Sequence, residues 1–485
     1  MTSDIHLSLA QIHNLLISRE KSVEEVTQAC LDRIIATEPT INAFITICAE
    51  EALSEAKKLD QSTPDPKKPL WGIPIAVKDN ILTKNIPTTA ASCMLKHFIP
   101  QYDAFIIQQL KNAGAIIIGK TNLDEFAMGS STETSFFGPT YNPWNTKCVP
   151  GGSSGGSAAS VAAFQCFSAI GTDTGGSIRQ PAALCGCIGL KPTYGRVSRY
   201  GIIAYASSLD QAGPITRTVE DAAIMLSVLA KHDPQDTTSS FKATDNYYIN
   251  LKKQDLTGIT IGIPKEFISE HIDPPILDIY QQAIEQAKEL GAKTIDLSLP
   301  HATDHAIATY YIIATAEAAS NLARFDGVRY GYRAKNSHTL EELYINSRTK
   351  GFGEEVKRRI LLGTHVLSTD YYENYYHKAA QVRYLILQDF LSAFKKCDIL
   401  LTPVSPITAW EIGSTIKKPI TIYHKDIFTV SLNLAGLPGL SIPAGLVKGL
   451  PVGIQLIGQA FDESTLLSIG NILHKYLGPT SQPNL

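Results

Sequence analysis

Three short segments carry residue types able to act on a carbonyl group. Lys78 ends an apolar run, LWGIPIAV, that reads as a buried strand. A lysine there either snorkels back to solvent or is desolvated, and desolvation lowers an amine's pKa until its neutral, proton-accepting form is available. The second segment is GGSSGGS at 151–157, whose glycines permit backbone torsions that other residues resist. The third is Asp173-Thr-Gly-Gly-Ser177, directly after the predicted strand FSAIGTD. Backbone amides in such a turn are free to converge on one point, as an oxyanion hole requires, and Ser177 places a hydroxyl beside them. Taken singly, each feature is more often structural than catalytic. Brought together, they could perform acyl transfer through a serine.

What must position them is a set of strands and helices marked out by apolar patterning. Residues 4–60 read as helices, with Ser22 and Glu25 at capping-box spacing before the periodic run Val26 to Ile35. The surface loop STPDPKKP (62–69) precedes the strand that ends at Lys78. A helix over 103–113 leads into the strand Ala115–Ile118, and this alternation points to parallel sheet. After GGSSGGS comes the small-residue helix AASVAAF, and after Gly213-Pro214 a helix begins near Thr218, whose hydroxyl can cap it. The polar stretch 232–255 reads as a surface excursion, and GITIGIP (258–264) resumes the sheet. Amphipathic helices follow over roughly 274–290, 303–324, 353–367 and 370–395, with strands at 398–402, 439–443 and 452–457. No repeat or low-complexity linker divides the chain. The pattern therefore favours one large α/β domain over 1–485, with the N-terminal helices packed on its core.

Bulk properties exclude other classes. The formal net charge is −3, and no block of like charge stands out, which argues against a chain whose main work is gripping phosphate backbones. The N-terminus lacks the basic-then-apolar layout of a secretion signal, and no uninterrupted apolar run of about 18 residues offers a membrane span. The eight cysteines are scattered, and Cys185-Gly-Cys187 has no second pair at zinc spacing. Reduced thiols in a cytoplasmic protein, with no metal, are expected.

Two familiar patterns are set aside. Gly114-Ala-Ile-Ile-Ile-Gly119-Lys120-Thr121 fits the phosphate-loop formula, but its variable positions prefer a buried strand where the mechanism needs a loop. A nucleotide-binding module is the reading it would support. Gly151-Gly-Ser153-Ser-Gly155 fits the nucleophile-elbow formula, yet the turn-rich YNPWNTKCVP precedes it instead of a strand.

The run from GGSSGGSAAS (151–160) to GTDTGGSIRQPAALCGCIGLKPTYGRVS (171–198), with PIAVKDN (74–80) upstream, resembles the amidase signature family. Ser153 lies 24 residues before Ser177 and Lys78 lies 75 before Ser153, spacings typical of that family. The resemblance implies a single large α/β domain with a central mixed β-sheet flanked by helices. It makes Ser177 the acylated nucleophile, Ser153 the relay and Lys78 the base, with a cis peptide entering Ser153. The amides of Thr174, Gly175, Gly176 and Ser177 would form the oxyanion hole.

Further stretches narrow the likeness within the family: LDEFAMGSSTETSFFGPTYNPW (123–144), YYIIATAEAASNLARFDGVRYGYR (310–333), GEEVKRRILLGTHVLSTDYYENYY (353–376) and IFTVSLNLAGLPGLSIPAG (427–445). They resemble the glutaminase subunits of tRNA-dependent amidotransferases. That likeness implies hydrolysis of glutamine within a cytoplasmic heterotrimer that converts Glu-tRNA(Gln) to Gln-tRNA(Gln). Its partners would be amidotransferase subunits B and C. The B subunit would bind the misacylated tRNA, activate it with ATP and Mg, and accept the ammonia, and the small C subunit would wrap the pair. No cofactor is implied in this chain. A stand-alone amidase acting on small or aromatic amides is the alternative.

Free glutamine carries a carboxylate and an ammonium, so its pocket needs a cation and an anion. Arg358 and Arg359 lie on a predicted helix and point about 100° apart, so one of them faces the pocket, unless both belong to a solvated face. By resemblance Arg359 takes the carboxylate and Asp426 the ammonium, while Tyr310 and Ser130 line the site. Ser431 stands where relatives often carry proline, and Ala91 replaces a common cysteine before Ser92.

Overall fold

Runs such as Pro74-Ile-Ala-Val-Lys78 and Ile116-Ile-Ile fit a sheet covered on both faces, where apolar side chains are wanted on either side. They take that place in the computed structural model, which describes residues 4–268, 272–303, 305–414, 424–478 and 482–485. The strands are β1 (Phe44–Ile47), β2 (Pro74–Lys78), β3 (Ile116–Thr121), β4 (Ser168–Asp173), β5 (Ile188–Lys191) and β6 (Gln211–Thr216), then β7 (Thr260–Pro264), β8 (Lys293–Leu297), β9 (Ile399–Pro403), β10 (Gly439–Val447) and β11 (Leu450–Ile457). Among the described residues they form one 11-stranded sheet in the order β1-β3-β2-β4-β6-β5-β10-β11-β9-β7-β8.

The sheet is mixed. β2 runs parallel to β3 and β4, and β7 runs parallel to β8 and β9, whereas the β6, β5, β10 and β11 neighbours are antiparallel. Helix–strand alternation thus foretold the pairing only within β3-β2-β4 and β9-β7-β8. Successive residues of β9 show both faces covered: Ile399 and Leu401 join one apolar cluster and Leu400 the other. Leu31, Val161, Leu226 and Leu467 bring helices Val23–Ile41, Gly155–Ala162, Val219–Leu229 and Glu463–Leu477 to the first cluster. Ile313 and Phe390 bring helices Ala306–Leu322 and Lys378–Ala393 to the second.

Local readings hold where local chemistry sets the element. Ser22 and Glu25 make the capping box, each side chain accepting from the other's backbone amide, and the Thr218 hydroxyl accepts from the Asp221 amide. The region 4–60 is not wholly helical, because Phe44–Ile47 leaves helix to pair antiparallel with β3. Gly213-Pro214 lies inside β6, where Ile170 and Pro214 are register partners. Residue 304, at the start of the predicted helix 303–324, lies outside the described residues, and the helix itself spans Ala306–Leu322. The stretch 232–255 forms neither helix nor strand.

The phosphate-loop pattern folds as β3. Lys120 is fully buried on it, 3.2 Å from Asp79, and donates to the Thr88 hydroxyl and the Ile81 carbonyl. Because β2 and β4 are parallel neighbours, with Val77 opposite Ile170, both finish at one edge of the sheet. That edge is where open α/β sheets place ligands.

Candidate active site

Lys78, the last residue of β2, is completely buried. Its Nζ donates to Ser153 Oγ at 2.8 Å, Ser154 Oγ at 2.8 Å and Thr172 Oγ1 at 2.9 Å, with the Thr172 carbonyl at 3.3 Å. Thr172 comes from β4, so the parallel β2–β4 register supplies half of this cage. Burial lowers the amine's pKa to about 7, against the attraction of Asp124, Asp173 and Asp210. Lys120, one strand away and equally buried, touches a carboxylate. Lys78 bonds only hydroxyls and a carbonyl among the described residues, which is the setting of a base.

The loop that carries Ser153 is held from several sides. The Gly152–Ser153 peptide bond is cis. The Gly152 amide donates to Gln180 Oε1 at 3.0 Å, the Thr132 hydroxyl donates to the Gly151 carbonyl at 2.8 Å, and the Asp124 amide donates to the Ser153 carbonyl at 3.3 Å. A Cβ at Gly152 would stand 2.2 Å from Asp124 Oδ2 and 2.5 Å from the Ser131 amide nitrogen, so only glycine fits. Asp124 is fixed in turn by the amides of Ser131 and Thr132 and by the Thr134 hydroxyl.

Ser177 sits on the turn between β4 and the helix Arg179–Cys185, and the Ser154 amide donates to its carbonyl at 3.2 Å. The two glycine loops therefore meet. Hydrogen bonds join Lys78 to Ser153 and Ser154 to Ser177, but none joins the Ser153 and Ser177 hydroxyls. Catalytic hydrogen bonds of this kind often tighten only when substrate is bound. One expected oxyanion donor needs correction. The Gly176 amide donates to Asp173 Oδ1 at 2.8 Å, because Asp173 folds back under the turn. The Gly175 and Ser177 amides donate to no protein acceptor among the described residues. Against the upward push of burial, Arg179 holds Asp173 well below the usual carboxylate range. The guanidinium also binds the Thr429 carbonyl, Asn433 and Gln455.

The residues expected to recognise substrate gather around this turn, with one exception. The Tyr310 ring lies against Gly175, where a Cβ would come within 2.6 Å of it. The Ser130 hydroxyl donates to Asp426 Oδ2 at 2.5 Å, and Gln180 Nε2 donates to the Ser130 carbonyl at 3.0 Å. The Thr429 hydroxyl joins the Asp426 segment to the turn by donating to the Gly175 carbonyl at 2.7 Å. Burial pushes the Asp426 carboxyl up to about 7, opposed by Ser130 and Arg359. Arg359 is buried on the helix Glu354–Val366; Nη1 donates to the Tyr205 hydroxyl at 2.7 Å and Nε to Glu355 Oε1 at 2.8 Å. Arg358 is the exception. Its side chain is 48% exposed and pairs with Glu355 on the outer face of the helix, so it leaves the set of substrate-binding residues.

Sequence reading missed Thr172, Tyr205 and Asp210, which only the fold brings to the site. Asp173 and Arg179 were in view, since they flank Ser177 in one motif, but their pairing was not foreseen. A cavity of about 580 Å³ lies elsewhere, against the N-terminal helices, with Lys21, Glu25 and Arg33 in its wall. It includes none of these residues.

A family model described as Amidase matches residues 25–467. The chain belongs to the amidase family. Within that family it is 57% identical over 480 residues to the A subunit of glutamyl-tRNA(Gln) amidotransferase from Nitratidesulfovibrio vulgaris (strain DP4), covering 98% of each chain. The solved structure of the A subunit of glutamyl-tRNA(Gln) amidotransferase from Thermotoga maritima is 41% identical and superposes with a TM-score of 0.83, covering 99% of this chain and 98% of that one. The peptide amidase of Stenotrophomonas maltophilia has the same fold at 29% identity, with a TM-score of 0.85 over 100% of this chain and 99% of that one. The amidase fold thus accounts for the whole sheet, from β1 to β11. Among the described residues, no helix is long and apolar enough to cross a membrane.

Proposed function

We propose that this chain hydrolyses glutamine to glutamate and ammonia as the glutaminase component of a tRNA-dependent amidotransferase. One observation carries the reading. A buried amine bonded to Ser153, and a buried arginine and aspartate, are gathered around the same Gly175–Ser177 turn. The first supplies a base for acyl transfer, and the second suits the two charged ends of an amino acid.

In the reaction, Ser177 Oγ attacks the side-chain amide carbonyl of glutamine. Its proton passes to Ser153, whose own proton passes to neutral Lys78 Nζ. The carbonyl oxygen, now negative, is met by the Gly175 and Ser177 amides. The proton returns through the same hydroxyl to the leaving nitrogen, the C–N bond breaks, and ammonia departs. Water then attacks the glutamyl ester of Ser177 by the same relay and frees glutamate. Arg359 holds the α-carboxylate, Asp426 with Ser130 holds the α-ammonium, and Tyr310 shapes the wall between them.

The 57% identity to an amidotransferase component over nearly the full length supports the wider assignment. In it, subunits B and C complete a cytoplasmic complex, ATP and Mg act in the B subunit, and the released ammonia converts Glu-tRNA(Gln) to Gln-tRNA(Gln). Trapping the acyl-enzyme with glutamine and mapping it by mass spectrometry tests the chemistry; a glutamyl adduct on the Ser177 peptide is expected. Stimulation of glutamine hydrolysis by the B subunit and charged tRNA tests the assignment. Rapid hydrolysis of unrelated amides by the chain alone, without such stimulation, would reverse it in favour of a stand-alone amidase.

A further inference from the structure

Asp210 is buried just before β6, beyond the point where Asp173 and Gln211 pair across the β4–β6 ladder. Its two oxygens face different parts of the site. Oδ1 accepts from the Thr174 hydroxyl at 2.6 Å, at the start of the nucleophile turn. Oδ2 accepts from the amides of Tyr205 at 2.9 Å and Ala206 at 3.1 Å. The Tyr205 hydroxyl accepts from Arg359 Nη1 at 2.7 Å. An unbroken chain of short contacts therefore runs from the guanidinium through Tyr205 and Asp210 to the residue preceding Gly175. Mere burial of the loop does not require the second link to the turn.

We infer that Asp210 is a positioning residue that ties the substrate-binding arginine to the nucleophile turn, so that the Arg359 end and the Ser177 end are set by one carboxylate. The inference deepens the glutamine reading and rests on it for the role of Arg359. Among the described residues the carboxylate accepts three hydrogen bonds. Burial pushes it up to about 6, against the pull of Thr174 and the loop amides. Among the described residues, the charged and titratable groups that reach it include Lys78 at the end of β2, with Arg199 and Tyr194 on the segment after β5. Its negative charge raises the pKa of Lys78. Removing that charge therefore moves the Lys78 titration to lower pH.

The test uses the full-length chain as wild type, Asp210→Asn, Tyr205→Phe and the double variant. Phenylmethanesulfonyl fluoride reports the reactivity of Ser177 without needing Arg359, and glutamine turnover is followed across about pH 5 to 9. Asp210→Asn is expected to slow labelling and kcat by roughly tenfold, to raise KM for glutamine by more than about threefold as the Arg359 end loses its tie, and to shift the acid limb downward in pH. The double variant is expected to lose less than the product of the single losses. Unchanged labelling in Asp210→Asn, an unmoved acid limb, or fully multiplicative losses would overturn the inference. If Asp210→Asn does not fold, Thr174→Val cuts the same link from the other side; slowed labelling supports the link and unchanged labelling overturns it. Should wild type neither turn over glutamine nor be protected by it while the labelling difference persists, the link to the turn stands and the glutamine reading falls.

Discussion

Lys78 Nζ lies 2.8 Å from Ser153 Oγ, and its other partners, Ser154 and Thr172, are hydroxyl-bearing residues as well. The relationship matters because an amine caged by hydroxyls can gain and lose a proton at neutral pH, whereas one locked to a carboxylate stays charged.

Activity should follow the protonation of this amine. Its pKa lies at about 7, so the neutral base prevails above that value and is lost as pH falls through it. A profile of kcat/KM against pH, using glutamine, is expected to fall on the acid side with a limb near neutrality. A limb governed by an ordinary carboxylate, about three units lower, would contradict the assignment.

Lys78→Met should abolish hydrolysis yet raise stability. In the folded state the amine's pKa is below its unfolded value, so below about 7 the wild type bears the full cost of a buried charge. Between there and the unfolded pKa that cost fades as pH rises. The melting temperature of the variant should therefore exceed the wild type's most at pH 6 and least at pH 9, in thermal melts at those two values.

The two adjacent arginines should separate kinetically. Arg359→Lys loses a planar, buried fork and is expected to raise KM for glutamine by about tenfold or more. Arg358→Ala should leave kinetics within about twofold, since its surface pair with Glu355 contributes little. Steady-state assays on both variants check this.

Gly175→Ala places a methyl group 2.6 Å from the Tyr310 ring carbon that carries the hydroxyl. The ring or the turn must shift, and a loss in kcat/KM of roughly a hundredfold is expected. Adding Tyr310→Leu removes the obstructing atoms, so the double variant should lose less than the two single losses multiplied. Kinetics of the three variants measure the coupling.

Lys120→Met leaves Asp79 buried without its cation and should destabilise the fold by about 3–5 kcal/mol. Denaturant unfolding reads this directly. Replacing Asp79 with leucine as well is expected to restore much of the loss. Saturable ATP binding by the wild type, abolished in Lys120→Ala, would instead revive the phosphate-loop reading of this segment.

Legibility in the sequence followed the range of the interaction. The capping box at Ser22 and the cap at Thr218 involve partners three residues apart, and both form as read. Residues 44–47, inside a stretch read as helices, became a strand because pairing with the distant β3 overrode local preference. The arginine question was narrowed by helical geometry alone to one of two neighbours. Which of them is buried was decided by the face of the helix that met Tyr205 and Tyr311.

The chain's own letters determined its family, its mixed α/β class and the three segments where hydroxyls, amine and glycine-flanked amides occur. Those properties reside in short contiguous runs. The fold alone decided that Lys78 has hydroxyl partners while Lys120 has a carboxylate, that Gly176 spends its amide on Asp173, and that Asp210 links two ends of the site. Those contacts join residues set side by side by strand order and loop packing, and a hydrogen bond depends on distances that spacing along a chain does not specify.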